Sequence, residues 1–321
     1  MKEINFINQN TERWNLYDKM LDGVDHENPD KLSDMFIQVT DDLSFARTNY
    51  PKSSITRYLN SIAFRLHQLI YINKKEDKKR FNMFWKQEFP LHIHNLKKYI
   101  YYSLIIFLVS MSIGAVSTLN DDTFVRMILG DDYVNMTLEN MDKGDPLAVY
   151  KNMNQTDMFL GITFNNIKVS FYAYILGIII SIGTGYVLFY NGLMLGSFLA
   201  FFYQKGFFAD AMLTIWIHGT LEIFAIIMAG AAGIILGNSI LFPGTYSRLH
   251  SFMTGVKKSL KIAVGIIPMY VVAGFLEGFI TRYTGAPVVI RLFIIFSSLA
   301  FIIWYFFILP GRLYKKIFRT K

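Results

Sequence analysis

The chain has 321 residues, of which 53% are hydrophobic and 16% aromatic, and it carries a net charge of +8. This is too apolar for an ordinary soluble domain of this length and indicates an integral membrane protein. The absence of cysteine excludes disulfides, thiol catalysis and cysteine-based metal sites. Lysine and arginine lie mainly beside apolar segments and no nucleic-acid-binding motif is present, so the positive charge indicates membrane topology and no nucleic-acid partner.

Residues 1–98 are predicted to form a cytoplasmic domain of three or four amphipathic helices. They contain 16 basic and 13 acidic side chains and lack the apolar core and cleavage site of a secretory signal. Apolar residues recur there at helical spacing, in two stripes. The stripes are Leu32, Met35, Phe36, Val39 and Leu43, and then Leu59, Ile62, Ala63, Leu66, Leu69 and Ile70.

Six apolar segments follow and predict about six transmembrane helices. They cover residues 99–119, 167–190, 192–203, 211–237, 259–280 and 287–309. Because a transmembrane helix needs about 20 residues, the third is short and reads as a tilted, partly buried or re-entrant helix. The predicted fold class is therefore an all-α polytopic membrane protein with an N-terminal cytoplasmic helical domain.

The distribution of charge predicts the orientation of these segments. With the N-terminus inside, the cytoplasmic segments 1–98, 248–261 and 312–321 hold 25 of the 32 lysine and arginine residues, as the positive-inside rule requires. The first transmembrane helix (99–119) is followed by an acidic extracytoplasmic loop (120–166), a five-helix membrane bundle (167–311) and a basic tail (312–321). We expect a bacterial cytoplasmic (inner) membrane location with both termini in the cytoplasm.

Small residues recur at four-residue intervals in spans two to five. They are Gly177, Ser181 and Gly185, then Gly192, Gly196 and Ala200, then Ala225, Ala229, Gly233 and Gly237, and finally Gly274 and Gly278; Gly230 is a further small residue of span four. In lipid, small side chains let helices approach closely, so the pattern predicts a tight bundle. It leaves open whether one of these faces also serves a homo-oligomer or a partner helix.

Two ionisable residues, His218 and Glu222, lie four residues apart on one face of span four. If that span begins at Ala211, they lie about 10 Å and about 16 Å below its outer end. Glu277, near the outer end of span five, lies at a depth similar to that of His218. Because charge is costly inside a membrane, the three residues are predicted to form a buried polar cluster, and Pro268 is predicted to kink span five.

Three interpretations of this cluster remain open. It can be a structural lock, in which a neutral histidine hydrogen-bonds a carboxylic acid; a path for protons or solutes; or a metal or hydrolytic site. The spacing is His-x-x-x-Glu rather than His-Glu-x-x-His, and neither a serine nucleophile elbow nor a second histidine lies nearby. We therefore predict a non-enzymatic protein with no cofactor and no metal ligands.

The sequence resembles the stage II sporulation protein M family of bacterial multipass membrane proteins. The most specific likeness is "HGTLEIFAIIMAGAAGIILG" (residues 218–237). A second block, "GTGYVLFYNGLMLGSFLAFF" (183–202), is similar to that family's next conserved block and implies a turn at Asn191 and Gly192. The segments "RWNLYDKML", "LSFARTNYP", "LNSIAFRLHQLIY" and "FPLHIHNLKKY" resemble the helical region before the family's first span.

The resemblance implies a membrane component that recruits or organises cell-envelope proteins, with the lipid bilayer and unidentified membrane or envelope proteins as partners. The alternative is a transporter or channel that uses the His218, Glu222 and Glu277 cluster. One observation separates the two hypotheses. A transport path needs a polar cavity that reaches the cluster, whereas a scaffold needs only a dry cluster with satisfied hydrogen bonds.

Overall fold

A computed structural model describes residues 2–22, 29–72, 78–148, 154–283 and 285–318. These residues form helices joined by short connections, and they contain no β-strand. The all-α prediction is confirmed. The chain divides into two compact units, Met1–Asn82 and Met83–Lys321, and each is described by itself below.

The N-terminal unit contains three long helices, α1 (Glu3–Asp22), α2 (Pro29–Asn49) and α3 (Ser54–Ile72). The two stripes predicted from the sequence pack together with α1, which contributes Trp14 at 1% exposure. The indole Nε1 of Trp14 donates a hydrogen bond of 2.8 Å to Asp42. A buried indole needs such a partner, so this bond fixes α1 against α2.

Helix α4 (Lys78–Met83) contains the division between the two units. The second unit is a helical bundle that begins with a π-helical turn, Phe84–Glu88. The helices are α5 (Phe89–Asn120), α6 (Asp122–Leu129), α7 (Asp131–Asp142), α8 (Gln155–Ile175), α9 (Ile182–Gln204), α10 (Phe208–Leu241), α11 (Arg248–Gly265), α12 (Ile267–Phe275), α13 (Val288–Ile302) and α14 (Leu309–Phe318). A 3₁₀ turn, Leu176–Ile178, follows α8, and π-helical turns, Leu276–Thr281 and Ile303–Ile308, follow α12 and α13.

Within the described residues, five helical stretches are long and apolar enough to cross a membrane. They are Phe81–Asn120, Ile182–Gln204, Phe208–Leu241, Arg248–Thr281 and Val288–Ile317. Helix α8 is not among them, because Asn165, Asn166 and Lys168 lower its hydropathy. The protein is thus a polytopic membrane protein.

Contacts between the helices show the direction in which each one runs. Helices α5 and α9 are parallel, since Gly114 packs on Leu193 and the Gln204 amide reaches the Thr118 carbonyl further along both helices. Helix α10 is antiparallel to α5, and α8 runs beside α10 in the same direction. The polar helix α8 therefore crosses the same thickness as the apolar ones, and the described chain traverses the bundle six times.

The loop between the second and third spans lies about ten residues earlier than the sequence predicts. The chain reverses at residues 179–181, where Ile180 and Ser181 have positive φ angles of 51° and 63°. Helix α9 is consequently 23 residues long, so the third span is not short. Asn191 and Gly192 do not form a turn; they lie within α9, and the Asn191 amide donates a 2.8 Å hydrogen bond to the Val187 carbonyl.

Near two prolines, one helix starts earlier than predicted and one is interrupted where Pro268 was predicted to kink it. The first span begins before residue 99, because α5 is one helix from Phe89 with Pro90 in its first turn. The fifth span is interrupted at Ile266, and Pro268 lies in the first turn of α12. Proline has no amide hydrogen to continue the preceding helix, which explains the break.

The two ends of the bundle differ in charge. We call the acidic end the one formed by the last residues of α5 and α9 and the first residues of α8 and α10, where Asp121 and Asp122 lie beside α6. The opposite end, the basic end, carries Arg248 at the start of α11 and Lys315 and Lys316 in α14. This separation follows the charge pattern that predicted the orientation.

Candidate functional site

Helix α10 places His218 and Glu222 one turn apart on the face that lines an internal cavity. His218 is only 5% exposed. Because α10 begins at Phe208, Glu222 lies about 21 Å along the helix axis from the acidic end, at 1.5 Å per residue. The two side chains are therefore deep in the bundle and face inward.

The His218 ring is oriented by Thr281, which is 1% exposed. The distance between His218 Nδ1 and Thr281 Oγ1 is 3.0 Å, and the Thr281 hydroxyl donates to the carbonyl of Leu276 at 3.2 Å. Since a hydroxyl has a single hydrogen, Thr281 accepts from Nδ1–H. This assigns the proton to Nδ1 and leaves the lone pair of His218 on Nε2.

Glu277 comes from the π-helical turn Leu276–Thr281 after α12. Its Oε2 lies 3.7 Å from Nε2 of His218. One nitrogen of His218 and one carboxylate oxygen each of Glu222 and Glu277 all lie within 4.8 Å of one another. The structure thus brings the three predicted residues together. It adds the π-helical turn, a feature frequent at functional sites that sequence periodicity did not predict.

Asn166 of α8 is a fourth member of the site that the sequence analysis missed. This asparagine is buried, and its side-chain amide lies close to the Glu222 carboxylate. Toward the basic end, the hydroxyl of Ser170, also on α8, donates to that of Tyr270 on α12. Helix α8 therefore turns Asn166 and Ser170, two of its polar side chains, toward the interior of the bundle.

A cavity of about 910 Å³ adjoins the cluster. It extends to Ile128, Leu129 and Tyr133, which belong to α6 and α7 at the acidic end. Most of its wall is apolar. The polar lining consists of Tyr133, Asp157, Asn165, Asn166, Tyr190, Asn191, His218, Glu222 and Glu277.

The charges of the cavity are of one sign. Asp157, Glu222 and Glu277 line it, whereas none of its described lining residues is lysine or arginine. Burial raises the pKa of Tyr133 to about 12, against the opposing effect of its hydrogen bond with Thr137. The Tyr133 phenol is therefore neutral at physiological pH, and the carboxylates determine the electrostatic character of the cavity.

Beyond Glu222 toward the basic end, α10 is closely packed. A methyl group on Gly233 would lie 2.2 Å from Thr184 Oγ1 and 2.4 Å from the Ala173 carbonyl. A methyl group on Gly237 would lie 2.4 Å from the Ser181 amide. Among the described lining residues of the cavity on α10, Ile226 lies nearest the basic end, before this closely packed segment.

The other predicted small residues mostly lie in similar contacts. Gly177 meets Gly233, Gly192 and Gly196 meet α5, Gly230 meets Ser103 and Leu188, and Gly274 and Gly278 meet Thr163 and Phe159 of α8. Ala225 and Ala229 are fully buried. Gly185 is the exception, since no atom lies within 4 Å of the position its Cβ would take. Eight of the nine predicted glycines therefore pack within the bundle.

Comparison with known families assigns most of the second unit to a protein family. Residues 103–282 match the family described as stage II sporulation protein M, which is more than half of the chain. The protein belongs to this family. Residues 4–72 match a different family, a domain of unknown function (DUF8413). The family match thus does not extend to the N-terminal helices, which the sequence analysis attributed to the same resemblance.

An uncharacterized protein of Methanocaldococcus jannaschii is 26% identical over 189 residues, which cover 58% of this chain and 82% of the relative. No solved structure matches the chain. The comparisons therefore establish the family and the membrane class, and the function has to be inferred from the site itself.

Proposed function

We propose that the second unit binds a small cation in the cavity and transports it across the membrane. The observation that carries this proposal is a cavity of about 910 Å³ that reaches the cluster of buried His218 and half-buried Glu222 and Glu277. Three carboxylates line the cavity and its described lining has no basic side chain, so its electrostatic potential favours a cation. Ionisable residues inside a membrane are typical of ion and proton pathways.

The shape of the cavity supports transport with access from one side at a time. It extends from the cluster toward the acidic end, and close packing around Gly233 and Gly237 separates the cluster from the basic end. Release toward the basic end would therefore require α10 to move relative to α8 and α9. Transporters with a central binding site work in this way, by opening the two sides alternately.

The orientation in the membrane is part of the proposal. The positive-inside rule places the basic end, with Arg248, Lys315 and Lys316, in the cytoplasm of a bacterial cell. The cavity then admits the cation from the outer side of the cytoplasmic membrane, and both termini lie inside. The acidic residues near the mouth of the cavity would raise the local concentration of cations there.

The scaffold role expected from the resemblance stays a prediction, as do its envelope partners and a homo-oligomer. The sequence offered the small-residue faces as candidate docking surfaces. Apart from Gly185, those glycines pack against neighbouring helices of the same chain, so they lend the scaffold hypothesis little support. We retain the prediction of a non-enzymatic protein.

Flux measurements in proteoliposomes test the transport proposal. Purified protein is reconstituted with a trapped pH-sensitive dye, and parallel vesicles trap a metal-sensitive dye for Mn²⁺ or Zn²⁺. We expect flux above that of protein-free vesicles for at least one of these cations, and at least a tenfold loss in Glu222→Gln. Asp132→Asn is the matched control, because it removes an exposed carboxylate of α7 that does not line the cavity.

Two results would contradict the proposal. One is the absence of proton, Mn²⁺ and Zn²⁺ flux in the unmodified protein. The other is flux in Glu222→Gln equal to that of the unmodified protein, because the cavity would then not be the pathway.

A further inference from the structure

We propose that His218, Glu222 and Glu277 bind a first-row divalent transition-metal ion, of which Zn²⁺ and Mn²⁺ fit the ligands well. This names the cation class of the proposed function and so rests on the cavity being a cation site. The sequence offered only His-x-x-x-Glu on one helix. The third ligand comes from another span, through the π-helical turn that carries Glu277.

The distances suit a metal ion between the side chains. With metal–ligand bonds of about 2.0–2.2 Å, neighbouring ligand atoms of a tetrahedral site lie about 3.4 Å apart. His218 Nε2 and Glu277 Oε2 are 3.7 Å apart, close to this value. One ligand atom from each of the three residues lies within 4.8 Å of the other two. Because both glutamates line the cavity, a small rotation of a carboxylate would bring these atoms to the spacing of a tetrahedral site.

The hydrogen bonds around the cluster prepare it for a metal. Because Nδ1 of His218 donates to Thr281, the nitrogen on the side of Glu277 is the one that carries a lone pair. Metal-binding histidines usually donate their other N–H in this way, which fixes the ring and its tautomer. The Asn166 amide lies beside the Glu222 carboxylate and can support it in the same way. The direct ligands therefore have the supporting contacts that metal sites usually require.

The balance of charge also favours a divalent ion. Two carboxylates close together in a medium of low dielectric constant repel each other and lose hydration, unless cations or protons neutralise them. No described lysine or arginine lines the cavity to do so. A divalent ion neutralises both carboxylates and coordinates the imidazole, and water in the cavity can occupy the remaining coordination position.

The ligand types narrow the choice of metal. Imidazole favours zinc and neighbouring transition metals, whereas carboxylates also accept manganese. Magnesium prefers octahedral oxygen ligands and retains several waters, so it fits an imidazole-containing site poorly. We therefore expect Zn²⁺ and Mn²⁺ to bind and Mg²⁺ not to compete with them.

Metal binding is measured on the full-length protein in detergent, purified through a tag without histidine and stripped with a chelator. Titration calorimetry with Zn²⁺ and elemental analysis after desalting should show one site per chain. We expect His218→Ala and Glu277→Gln each to weaken Zn²⁺ binding at least tenfold. Asp132→Asn is the matched control, because it removes an exposed carboxylate that does not line the cavity, and its Zn²⁺ affinity should stay within twofold of that of the unmodified protein.

A thermal melting assay in the presence and absence of Zn²⁺ tests metal binding even if a variant is less stable than the unmodified protein. Zn²⁺ should raise the melting temperature of the unmodified protein and of Asp132→Asn. It should not raise that of Glu277→Gln, which keeps nearly the same shape, and Mg²⁺ should have no effect. No Zn²⁺ binding in the unmodified protein, or equal binding in the cluster variants, would overturn the metal site.

Different results would refute the metal site and the transport proposal. Binding of one Zn²⁺ without flux of any tested cation would retain the metal site and refute transport. Proton flux that is lost in Glu222→Gln, with no Zn²⁺ or Mn²⁺ bound, would retain transport and refute the metal site.

Discussion

Between Ile215 and Ile226, α10 lines a cavity, whereas at Gly230, Gly233 and Gly237 the same helix packs so closely that an added methyl group would overlap its neighbours. The first half carries the ionisable side chains, and the second carries glycine and alanine. Lipid does not drive helices together by the hydrophobic effect, so close packing has to supply the association. The half with glycine and alanine, the tight half, therefore fixes the position of α10 in the bundle. This allows the half with the ionisable side chains, the polar half, to keep them beside a cavity.

The largest expected effect is a loss of stability, caused by a substitution that disrupts the packing of the tight half. In Gly233→Val the new side chain would overlap Thr184 and the backbone of Ala173, which cannot move away as a flexible side chain could. We expect a loss of stability at or above the upper end of typical overpacking costs, about 3 kcal/mol. Thermal unfolding in detergent measures it.

Gly185→Ala is the control for this substitution, because nothing lies within 4 Å of its added methyl group. Replacing a glycine at this half-buried helical position should be neutral or stabilising by up to about 1 kcal/mol. Equal effects of the two substitutions would show that α9 and α10 are not packed as described.

A smaller effect is expected from the ionisable pair in the polar half. His218→Ala, Glu277→Gln and the double variant form a thermodynamic cycle on metal-free protein. Side chains in contact have coupling energies of about 0.5–3 kcal/mol, and we expect a value in this range for atoms 3.7 Å apart. Denaturant unfolding gives the three free energies. A parallel cycle of His218→Ala with Asp132→Asn should be additive, and additivity in both cycles would refute the contact.

The members of the cluster that are ionisable could be predicted from the sequence, but their hydrogen-bond partners could not. His218, Glu222 and Glu277 stand out because charge is rare in apolar spans. Thr281 and Asn166 do not stand out, since threonine and asparagine are tolerated in membrane helices and their roles depend on which helix they face. The cavity depends on the spacing of several helices, a property of the assembled bundle.

The error at Asn191 has a physical reason. Asn-Gly is a strong turn signal in water, because both residues tolerate the backbone angles of tight turns. Here Gly192 instead lets α9 approach the Phe107 carbonyl and Ser110 of α5. The actual turn at residues 179–181 lies within a continuous apolar run, "ILGIIISIG", that carries no comparable signal. The need for close packing in lipid thus outweighed the local preference for a turn.

The smallest expected change in stability comes from enlarging a glycine in the polar half. Gly161 of α8 lines the cavity, and no atom lies within 4 Å of the position its Cβ would take. Gly161→Leu should therefore leave the free energy of unfolding unchanged or raise it by about 0.5–1 kcal/mol, since leucine is a better helix former than glycine. Thermal unfolding of Gly161→Leu and of Gly233→Val, measured side by side, compares the effect on stability of replacing a glycine in each half by a larger residue.

The same substitution should reduce cation flux in proteoliposomes by at least tenfold, because the leucine side chain occupies the route between the acidic end and the cluster. Gly161→Ala is the control: it removes the same glycine but adds only a methyl group, so flux should remain near that of the unmodified protein. A stable Gly161→Leu variant with normal flux would mean that cations do not pass through this cavity. A destabilised one would mean that α8 packs there as tightly as α10 does at Gly233.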